Sequence, residues 1–393
     1  MRSFAAGCLL APSVEGALNI QKKCYPCARS KTSPIFPLAQ RGRRTACRSP
    51  TREPTTKAAF RSSLTLPRPL AVAGLRWEFL EKMWLFQPRA VEGEVVLDRA
   101  VFEPQPTDSL SPRGGILRGA RRPAGWVAAG PPPQTPEDPG NLWPGPGEDL
   151  CWLAGNWRLL QRLDGHRTSL DDLVTAELAA SLCASPAPGR WLDLGTGIGS
   201  VALFLAWRFP QARGLGVEVQ EISAAMARRS LAWNGAADRV AIRDGDFREP
   251  GLLAGQGPFD LVTGTPPYFP LGTGSQSDRT QRAPCRFEHH GGIEAYCETA
   301  ARVLAPGAPF VACEAWTQHE RVEPAGRAAG LALSYWREVI PRAGKNPLFV
   351  VFAMTAAAGA GVLVRPPPLV VRDPHGRRTP EFVAVREAMG MPA

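Results

Sequence analysis

The chain has 393 residues, of which 44% are hydrophobic, and it carries a formal net charge of +10. No run approaches about 18 uninterrupted apolar residues, so the sequence predicts no membrane-spanning helix. Residues 1–76 hold 14 Lys and Arg against 2 acids, a net +12, which leaves −2 for residues 77–393. The overall basic charge is therefore no evidence that the larger part of the chain binds nucleic acid.

Residues 1–76 are rich in Arg and Ser, nearly free of acids and without a continuous apolar core. That composition predicts a transit peptide that directs the chain to a chloroplast or a mitochondrion, and it disfavours secretion. The alternatives are a disordered leader or a coding sequence that begins too far upstream. In either case we expect the protein to be cytoplasmic. The nine irregularly spaced cysteines suit a reducing compartment, and Cys24-Tyr-Pro-Cys27 lacks the second pair that a zinc site needs.

Three further segments follow from composition. Residues 77–149 form an N-terminal extension, in which Trp77–Phe86 predicts a short packing helix or strand. The Pro- and Gly-rich run from Arg121 to Asp149 predicts a linker or a surface loop. The folded domain is expected over residues 150–356, and residues 357–393 form a C-terminal extension that contains Pro366-Pro367-Pro368.

Strand and helix patterns alternate through the expected domain. A helix over 171–183, capped by Ser169, comes first. Strands are predicted at 190–194, 213–218, 238–243, 258–263, 308–314, 332–339 and 347–354, and further helices at 200–209, 220–234, 291–304 and 317–329. This alternation predicts an α/β fold with a mostly parallel, doubly wound sheet covered on both faces.

A glycine-rich turn follows the first strand of that sheet. The segment from Trp191 to Ser200 ends its strand at Asp193, turns through Gly195, Gly197 and Gly199, and then begins a helix. Glycine lets the backbone turn sharply and lets a ligand approach, while the helix N-terminus offers free N–H groups. Such turns occur in many proteins, but Glu218 closes the next strand, where a carboxylate can accept both hydroxyls of a ribose. The pair predicts a nucleoside site.

A second turn follows the fourth strand. Thr265-Pro266-Pro267-Tyr268 is a proline-locked corner with an aromatic residue at its tip, and in a doubly wound sheet it lies at the carboxyl edge beside the cofactor. The alternative is that the prolines simply end a strand.

Taken in order, these motifs resemble class I S-adenosylmethionine-dependent methyltransferases with an (Asn/Asp/Ser)-Pro-Pro-(Tyr/Phe/Trp) motif. The segments 165–172 and 286–296 are similar to the tRNA adenine-N6 methyltransferase-like family, and the likeness covers roughly residues 150–390. The resemblance implies a Rossmann-like sheet of seven strands with the last inserted antiparallel. It also implies S-adenosylmethionine as the cofactor.

The resemblance further assigns cofactor contacts. The methionine half would lie on Asp193 and the turn, the ribose on Glu218, and the adenine against Phe247 with its amine on Asp246. Arg167, in the segment before the first helix, would close over the cofactor; the alternatives are an acidic turn for Asp246 and a solvated side chain for Arg167. The full set is Arg167, Asp193, Gly195, Thr196, Gly197, Gly199, Glu218, Asp246 and Phe247.

The proline corner would supply the catalytic groups. An amine on a heteroaromatic ring is a poor nucleophile, and acceptors on its two N–H groups pull it toward a tetrahedral geometry. The Thr265 side chain and the carbonyl of Pro266 would be those acceptors, Pro267 would stiffen the corner, and Tyr268 would stack on the flat target. Thr265 departs from the Asn, Asp or Ser of the family, which puts the substrate in question more than the cofactor.

The expected partner is an RNA, most simply a tRNA, with adenine N6 as acceptor. Arg279, Arg282 and Arg286 follow the corner and predict phosphate contacts or, alternatively, a solvated lid. His289-His290 have no carboxylate at helical spacing, so no metal site is predicted. A protein-glutamine methyltransferase and a non-catalytic module with the same fold are the competing functions.

Overall fold

A computed structural model of the chain describes residues 107–272, 281, 285–359 and 361–393. All of them belong to one unit that spans Val95–Ala393. The predicted leader, the segment Trp77–Phe86, Arg279 and Arg282 lie outside the described residues.

The described part of the chain begins with a small sheet that the sequence did not predict. Its strands are β1 (Ser109–Leu110), β2 (Ile116–Leu117), β3 (Glu148–Trp152) and β4 (Arg158–Arg162). They are ordered β1-β2-β3-β4, and β3 pairs antiparallel with β4 from Glu148↔Arg162 to Trp152↔Arg158. Within the Pro- and Gly-rich run, only one 3-10 turn, Gly140–Leu142, and the beginning of β3 are regular.

The remaining elements follow the predicted alternation closely. The strands are β5 (Arg190–Leu194), β6 (Arg213–Glu218), β7 (Val240–Asp244), β8 (Leu261–Gly264), β9 (Phe310–Ala315), β10 (Leu331–Ile340), β11 (Phe349–Ala356) and β12 (Leu369–Val370). The helices are α1 (Leu170–Leu182), α2 (Ser200–Arg208), α3 (Glu221–Trp233), α4 (Ile293–Val303), α5 (Val322–Ala328) and α6 (Pro380–Ala388).

These strands form one sheet in the order β12-β10-β11-β9-β8-β5-β6-β7. Neighbours from β7 to β9 run parallel, whereas β11 is antiparallel to both β9 and β10. The doubly wound α/β fold with its last long strand inserted antiparallel is therefore confirmed. The two-residue β12, parallel to β10, extends the expected seven strands to eight.

Apolar side chains cover the sheet on both faces. One buried cluster joins α1, α2, α3 and α6 through residues such as Leu173, Phe204 and Phe382. The other joins α4 and α5 to the opposite face through Ile293, Val322 and similar residues. Burial on both faces explains why the strands are apolar runs without strict alternation.

Two helix starts show how the sequence sets element boundaries. The Ser169 N–H donates to the Asp172 carboxylate at 3.0 Å, as in a capping box, and α1 begins at the next residue. The predicted helix over 317–329 is instead a 3-10 helix, Trp316–Arg321, followed by α5. The His319 ring stacks on Trp316 with centroids 4.0 Å apart, and its Nδ1 lies 2.6 Å from the Trp316 carbonyl oxygen, which favours the tighter turn.

The Pro- and Gly-rich run packs on the helices of the sheet instead of bridging free space. The Arg229 guanidinium on α3 donates to the carbonyl oxygens of Asn141 and Trp143 and to the Glu148 carboxylate. The rings of Trp143 and Trp233 meet edge to face at 4.9 Å. One arginine thus satisfies several polar groups that an irregular backbone leaves open.

A buried ionic network ties the small sheet to the segment before α1. The Asp149 carboxylate on β3 is fully buried and accepts from Arg118 at 2.8 Å and from Arg167 at 2.9 Å. Arg118 also pairs with Asp108 at 2.7 Å. Asp149 therefore holds three separate segments together.

Among the described residues, no helix has the length and apolar character to cross a membrane. The same residues contain no cluster of His, Cys, Asp and Glu that could hold a metal ion.

We expect Asp149→Asn to lower the free energy of unfolding by about 3 kcal/mol, because two arginines would then face a neutral partner in a buried network. Urea denaturation measures the change. Glu323→Gln is the matched control: it breaks the exposed pair with Arg327 on α5, which is worth about 0–1 kcal/mol. Equal losses in the two variants would contradict the structural role of Asp149.

Candidate active site

The turn between β5 and α2 adopts backbone angles that require glycine. Gly195, Gly197 and Gly199 have φ values of +60°, +56° and +89°. A Cβ at Gly199 would lie 3.0 Å from the Ala227 Cβ on α3, whereas a Cβ at Gly197 would meet nothing closer than 4.0 Å. The turn is therefore packed on one side and open on the other, where the first N–H groups of α2 lack partners within the helix.

The Glu218 carboxylate lies directly beside this turn. It is 4% exposed, its Oε2 accepts from the Gly197 N–H at 2.8 Å, and its Oε1 accepts from the Gln220 N–H at 2.8 Å. Burial raises the pKa of Glu218 above its usual value, while the two N–H donors act to lower it. Each carboxylate oxygen keeps a further lone pair with which to accept a hydroxyl.

The Asp193 carboxylate connects the turn to the neighbouring strand β8. It accepts from the Thr196 hydroxyl at 2.6 Å and from the Thr263 hydroxyl at 2.7 Å. Burial raises the pKa of Asp193 to about 6, and both hydroxyl donors oppose that rise. The sequence analysis missed Thr263, although a polar residue in the apolar strand Leu261–Gly264 is a signal for such a contact.

A second residue that the sequence analysis missed is Tyr296 on α4. Its hydroxyl oxygen lies 2.3 Å from the position that a Cβ on Gly195 would occupy, and its ring edge lies 2.6 Å from that position on Gly264. Its ring meets Phe247 edge to face at 4.6 Å. Burial, then the charges of Glu218 and Asp193, raise the pKa of Tyr296 well above its usual value. Tyr296 thus fills the space between the two turns.

The predicted adenine contacts, Asp246 and Phe247, follow β7. Phe247 is buried against Tyr296. The Asp246 carboxylate is paired with Arg248, whose Nε donates to Oδ1 at 2.9 Å, and this hydrogen bond holds the pKa of Asp246 below its usual value. Its role toward adenine stays a prediction, and in this structure Arg248 already neutralises the carboxylate.

The Thr265-Pro266-Pro267-Tyr268 corner begins where β8 ends. Pro266 is buried, while Thr265 and Pro267 are half-buried. The Tyr268 hydroxyl lies 3.5 Å from the Cys313 sulfur on β9, and burial, then the Asp171 charge, raise the pKa of Tyr268 well above its usual value. Within the described residues the Thr265 hydroxyl makes no hydrogen bond, so it is available to a ligand.

The chain beyond this corner folds back over the neighbouring elements. Phe269 donates its N–H to the Arg286 carbonyl oxygen and accepts from the Glu288 N–H, both at 3.0 Å. The Gln220 side chain donates to the Cys285 sulfur at 3.3 Å, and the Gln281 side chain donates to the Ser223 hydroxyl at 3.1 Å. These contacts bring the segment against the first turn of α3, next to Glu218.

Arg167 and the pair His289-His290 contact other residues of the chain. The Arg167 guanidinium binds the Asp149 carboxylate and the Arg162 carbonyl, so the predicted closure over the cofactor stays a prediction. The His290 Nδ1 lies 3.6 Å from the Asp246 carboxylate, and the His289 ring packs near Phe287 with centroids 6.4 Å apart.

The structure therefore brings most of the predicted residues to one edge of the sheet. Asp193, the glycine turn, Glu218 and the proline corner follow the carboxyl ends of β5, β6 and β8, which are neighbours in the sheet. Two buried carboxylates there can accept hydrogen bonds and attract a cation. The half-buried Thr265 hydroxyl offers a further acceptor at the same edge.

Comparisons with known proteins agree with the motif resemblance. No family model matches the chain. The chain is 35% identical over 142 residues to a tRNA1(Val) (adenine(37)-N6)-methyltransferase of Porphyromonas gingivalis, covering 36% of this chain and 55% of that protein. It is also 35% identical over 146 residues to a release factor glutamine methyltransferase of Caulobacter vibrioides, covering 35% and 50%.

Among solved structures, a predicted O-methyltransferase from Agrobacterium tumefaciens superposes with a TM-score of 0.44 at 20% identity, covering 56% of this chain and 98% of that chain. The curated relatives are methyltransferases, as the motifs indicated. The chain spans about half the length of the curated relatives that it matches.

We expect Gly195→Ala to destabilise the protein, because an alanine at φ +60° pays about 1–2 kcal/mol and its Cβ would collide with the Tyr296 hydroxyl. In a Tyr296→Phe background the nearest ring atom lies 3.3 Å away, so the same substitution costs less. A double-mutant cycle by urea unfolding should give a coupling of about 0.5–3 kcal/mol. Strict additivity would contradict the contact between the two residues.

Proposed function

We propose that the chain is an S-adenosylmethionine-dependent N-methyltransferase that methylates the exocyclic N6 of adenine in an RNA, most simply a tRNA. The observation that carries the proposal is the meeting of the glycine turn, Glu218 and the proline corner at one sheet edge. The curated relatives support methyl transfer to nitrogen. The choice of adenine in RNA as the acceptor is a second step of the proposal and has its own support below.

The residues at the edge fit an adenosyl sulfonium. Both oxygens of Glu218 are held by backbone N–H groups and can still accept the two ribose hydroxyls. The open side of Gly197 leaves room for a ligand, and the buried Asp193 complements a cation. When bound, S-adenosylmethionine supplies an activated methyl group, so the protein has only to orient the acceptor and exclude water.

On the acceptor side, the corner supplies two hydrogen-bond acceptors with fixed directions. The Thr265 hydroxyl accepts one N–H of the amine and the Pro266 carbonyl accepts the other, which draws the nitrogen lone pair out of conjugation. Pro266 is buried and its φ is locked, so its carbonyl has little freedom. The Tyr268 ring, fixed through its hydroxyl at Cys313, limits the plane in which a flat acceptor can lie.

A base must leave its stack to reach this corner, and RNA loops meet that requirement at low cost. The relative from P. gingivalis bears the name of a tRNA adenine-N6 methyltransferase, which supports RNA as the substrate class. The threonine at the first corner position retains an acceptor, as serine does in the family.

A protein glutamine is the second candidate acceptor, since the C. vibrioides relative is named for that reaction. The two candidate acceptors, an adenine amine and a glutamine amide, are both planar nitrogens, and the experiment below separates them.

Incubation of the full chain with labelled S-adenosylmethionine, total tRNA and a protein extract tests the proposal. We expect label in the tRNA and N6-methyladenosine after digestion to nucleosides. Label only in protein, recovered as methylglutamine, would replace RNA by the second candidate. No transfer to either fraction would reject the enzymatic function.

We expect Glu218→Gln to weaken the affinity for S-adenosylmethionine by about 1–3 kcal/mol, because the amide group would present a donor to one backbone N–H and lose an acceptor for the ribose. Calorimetric titration measures the change. Glu221→Gln, at an exposed position in the first turn of α3, is the matched control and should bind as the native protein does. A similar affinity for all three proteins would exclude Glu218 from the site.

We expect Thr265→Val to reduce the single-turnover rate of methyl transfer about 100-fold, since valine keeps the shape of the side chain but removes the acceptor. The cofactor affinity should not change, which separates this effect from that of Glu218. Thr265→Ser should keep most of the rate. A valine variant with the native rate would show that the hydroxyl takes no part.

A further inference from the structure

Three arginines of the C-terminal extension lie close together: Arg372, Arg378 and Arg386 define what we call the arginine cluster. Arg372 and Arg378 face each other across a short hairpin that follows β12. Arg378 is exposed, and the other two are half-buried. Arg386 lies on α6 and approaches the hairpin from the side of the helix.

The three guanidinium groups donate to main-chain oxygens. Arg372 donates to the Gly376 carbonyl at 2.7 Å and Arg386 to the Pro392 carbonyl at 2.9 Å, while Arg378 donates at 2.6 Å to Ala393, whose oxygens form the terminal carboxylate. Among the described residues, none of the three pairs with an Asp or Glu side chain. The adjacent Arg377, in contrast, pairs with Asp373 at 2.9 Å.

The terminal carboxylate offsets one of the three positive charges, and the charges of the cluster still act on one another. Burial and the neighbouring charges of Arg378 and Arg372 lower the pKa of Arg386 to about 10. Burial and Arg372 also lower the pKa of Arg378. An anion placed among the three groups would relieve this repulsion.

Residues 341–393 differ in net charge from residues 77–340. Residues 341–393 contain 7 Lys and Arg and 3 Asp and Glu, a net +4, whereas residues 77–340 contain 25 and 31, a net −6. Arg342, in the β10–β11 turn, adds to the same surface, since its Nη2 lies 3.3 Å from the position of a Cβ on Gly376 at the tip of the hairpin.

The hairpin rises at the edge of the sheet that carries the candidate active site. β12 is parallel to β10, which runs in the direction of β8 and β9, so the residues after β12 leave the sheet at its carboxyl edge. Four strand steps separate β12 from β8 in the order β12-β10-β11-β9-β8. At about 4.8 Å a step, β12, which leads into the hairpin, lies about 19 Å across the sheet from β8, which leads into the proline corner. A stacked nucleic-acid strand covers that distance in roughly five or six nucleotides.

We propose that the arginine cluster binds the phosphodiester backbone of the RNA whose adenine enters the proline corner. This inference rests on the proposed function and adds to it a second contact, a few nucleotides from the modified base. Arginine suits the task because its planar fork matches phosphate oxygens and stays charged. Contacts of this kind position the substrate without reading its sequence.

Binding of total tRNA to the full chain, followed by fluorescence anisotropy over a series of salt concentrations, tests the proposal. We expect Arg372→Gln with Arg378→Gln to weaken binding about 10- to 100-fold. The slope of log K against log salt should become shallower by about 0.7–0.9 for each lost arginine. Arg372→Lys with Arg378→Lys keeps the charges and should restore most of the salt slope, which a loss of the carbonyl hydrogen bonds alone would not allow.

Arg302→Gln with Arg327→Gln is the matched control, since it removes two exposed arginines from the ends of α4 and α5, at the opposite edge of the sheet. Unchanged tRNA binding by the cluster variant would overturn the inference and leave the proposed function in place. If the cluster variant lost binding of polyglutamate while its tRNA binding stayed native, the inference would also be overturned. The ligand of the cluster would then be an acidic protein surface. A native protein that binds no tRNA would reject both proposals.

Discussion

The site depends on one buried carboxylate, that of Glu218, which closes β6 and accepts the N–H groups of Gly197 and Gln220. A charge at 4% exposure needs such donors, and the glycine turn can supply one only in its left-handed conformation. The carboxylate therefore holds the turn in shape, and the turn makes burial of the carboxylate possible. A ligand that needs two adjacent acceptors finds them already oriented.

Asp193 extends the same rigidity toward the acceptor side. Its two oxygens bind Thr196 in the glycine turn and Thr263 in β8, two residues before the corner begins. The ring of Tyr296 occupies the space between Gly195 and Gly264, so neither turn can move without displacing it. The cofactor side and the acceptor side are thus fixed to each other through packed, hydrogen-bonded contacts. In-line transfer of a small group demands that kind of fixed geometry.

Local patterns were sufficient to predict the central sheet, the Ser169 cap of α1 and the two turns, because glycine spacing, proline and apolar runs act within a few residues. The small sheet β1–β4 could not be predicted, since β1 and β2 have two residues each and β2 pairs with the distant β3, at Ile116↔Asp149. Tyr296 was missed for a related reason: its partners Gly195 and Phe247 come from other βα units. The stacking of His319 on Trp316, which replaces an α-helix by a 3-10 turn, is likewise a contact that no periodicity encodes.

The distribution of charge resolves a conflict between the two proposed ligands. A sulfonium cofactor is attracted by buried carboxylates such as Glu218 and Asp193, while an RNA backbone is repelled by them. A uniformly basic surface would favour RNA binding and weaken binding of the cation, whereas within residues 77–393 a net +4 falls in residues 341–393 and a net −6 in residues 77–340. The four strand steps between β12 and β8 span about 19 Å, beyond the Debye length of about 8 Å at physiological salt. Each ligand therefore meets charges of the opposite sign, and the two sets of charges scarcely affect each other through the solvent.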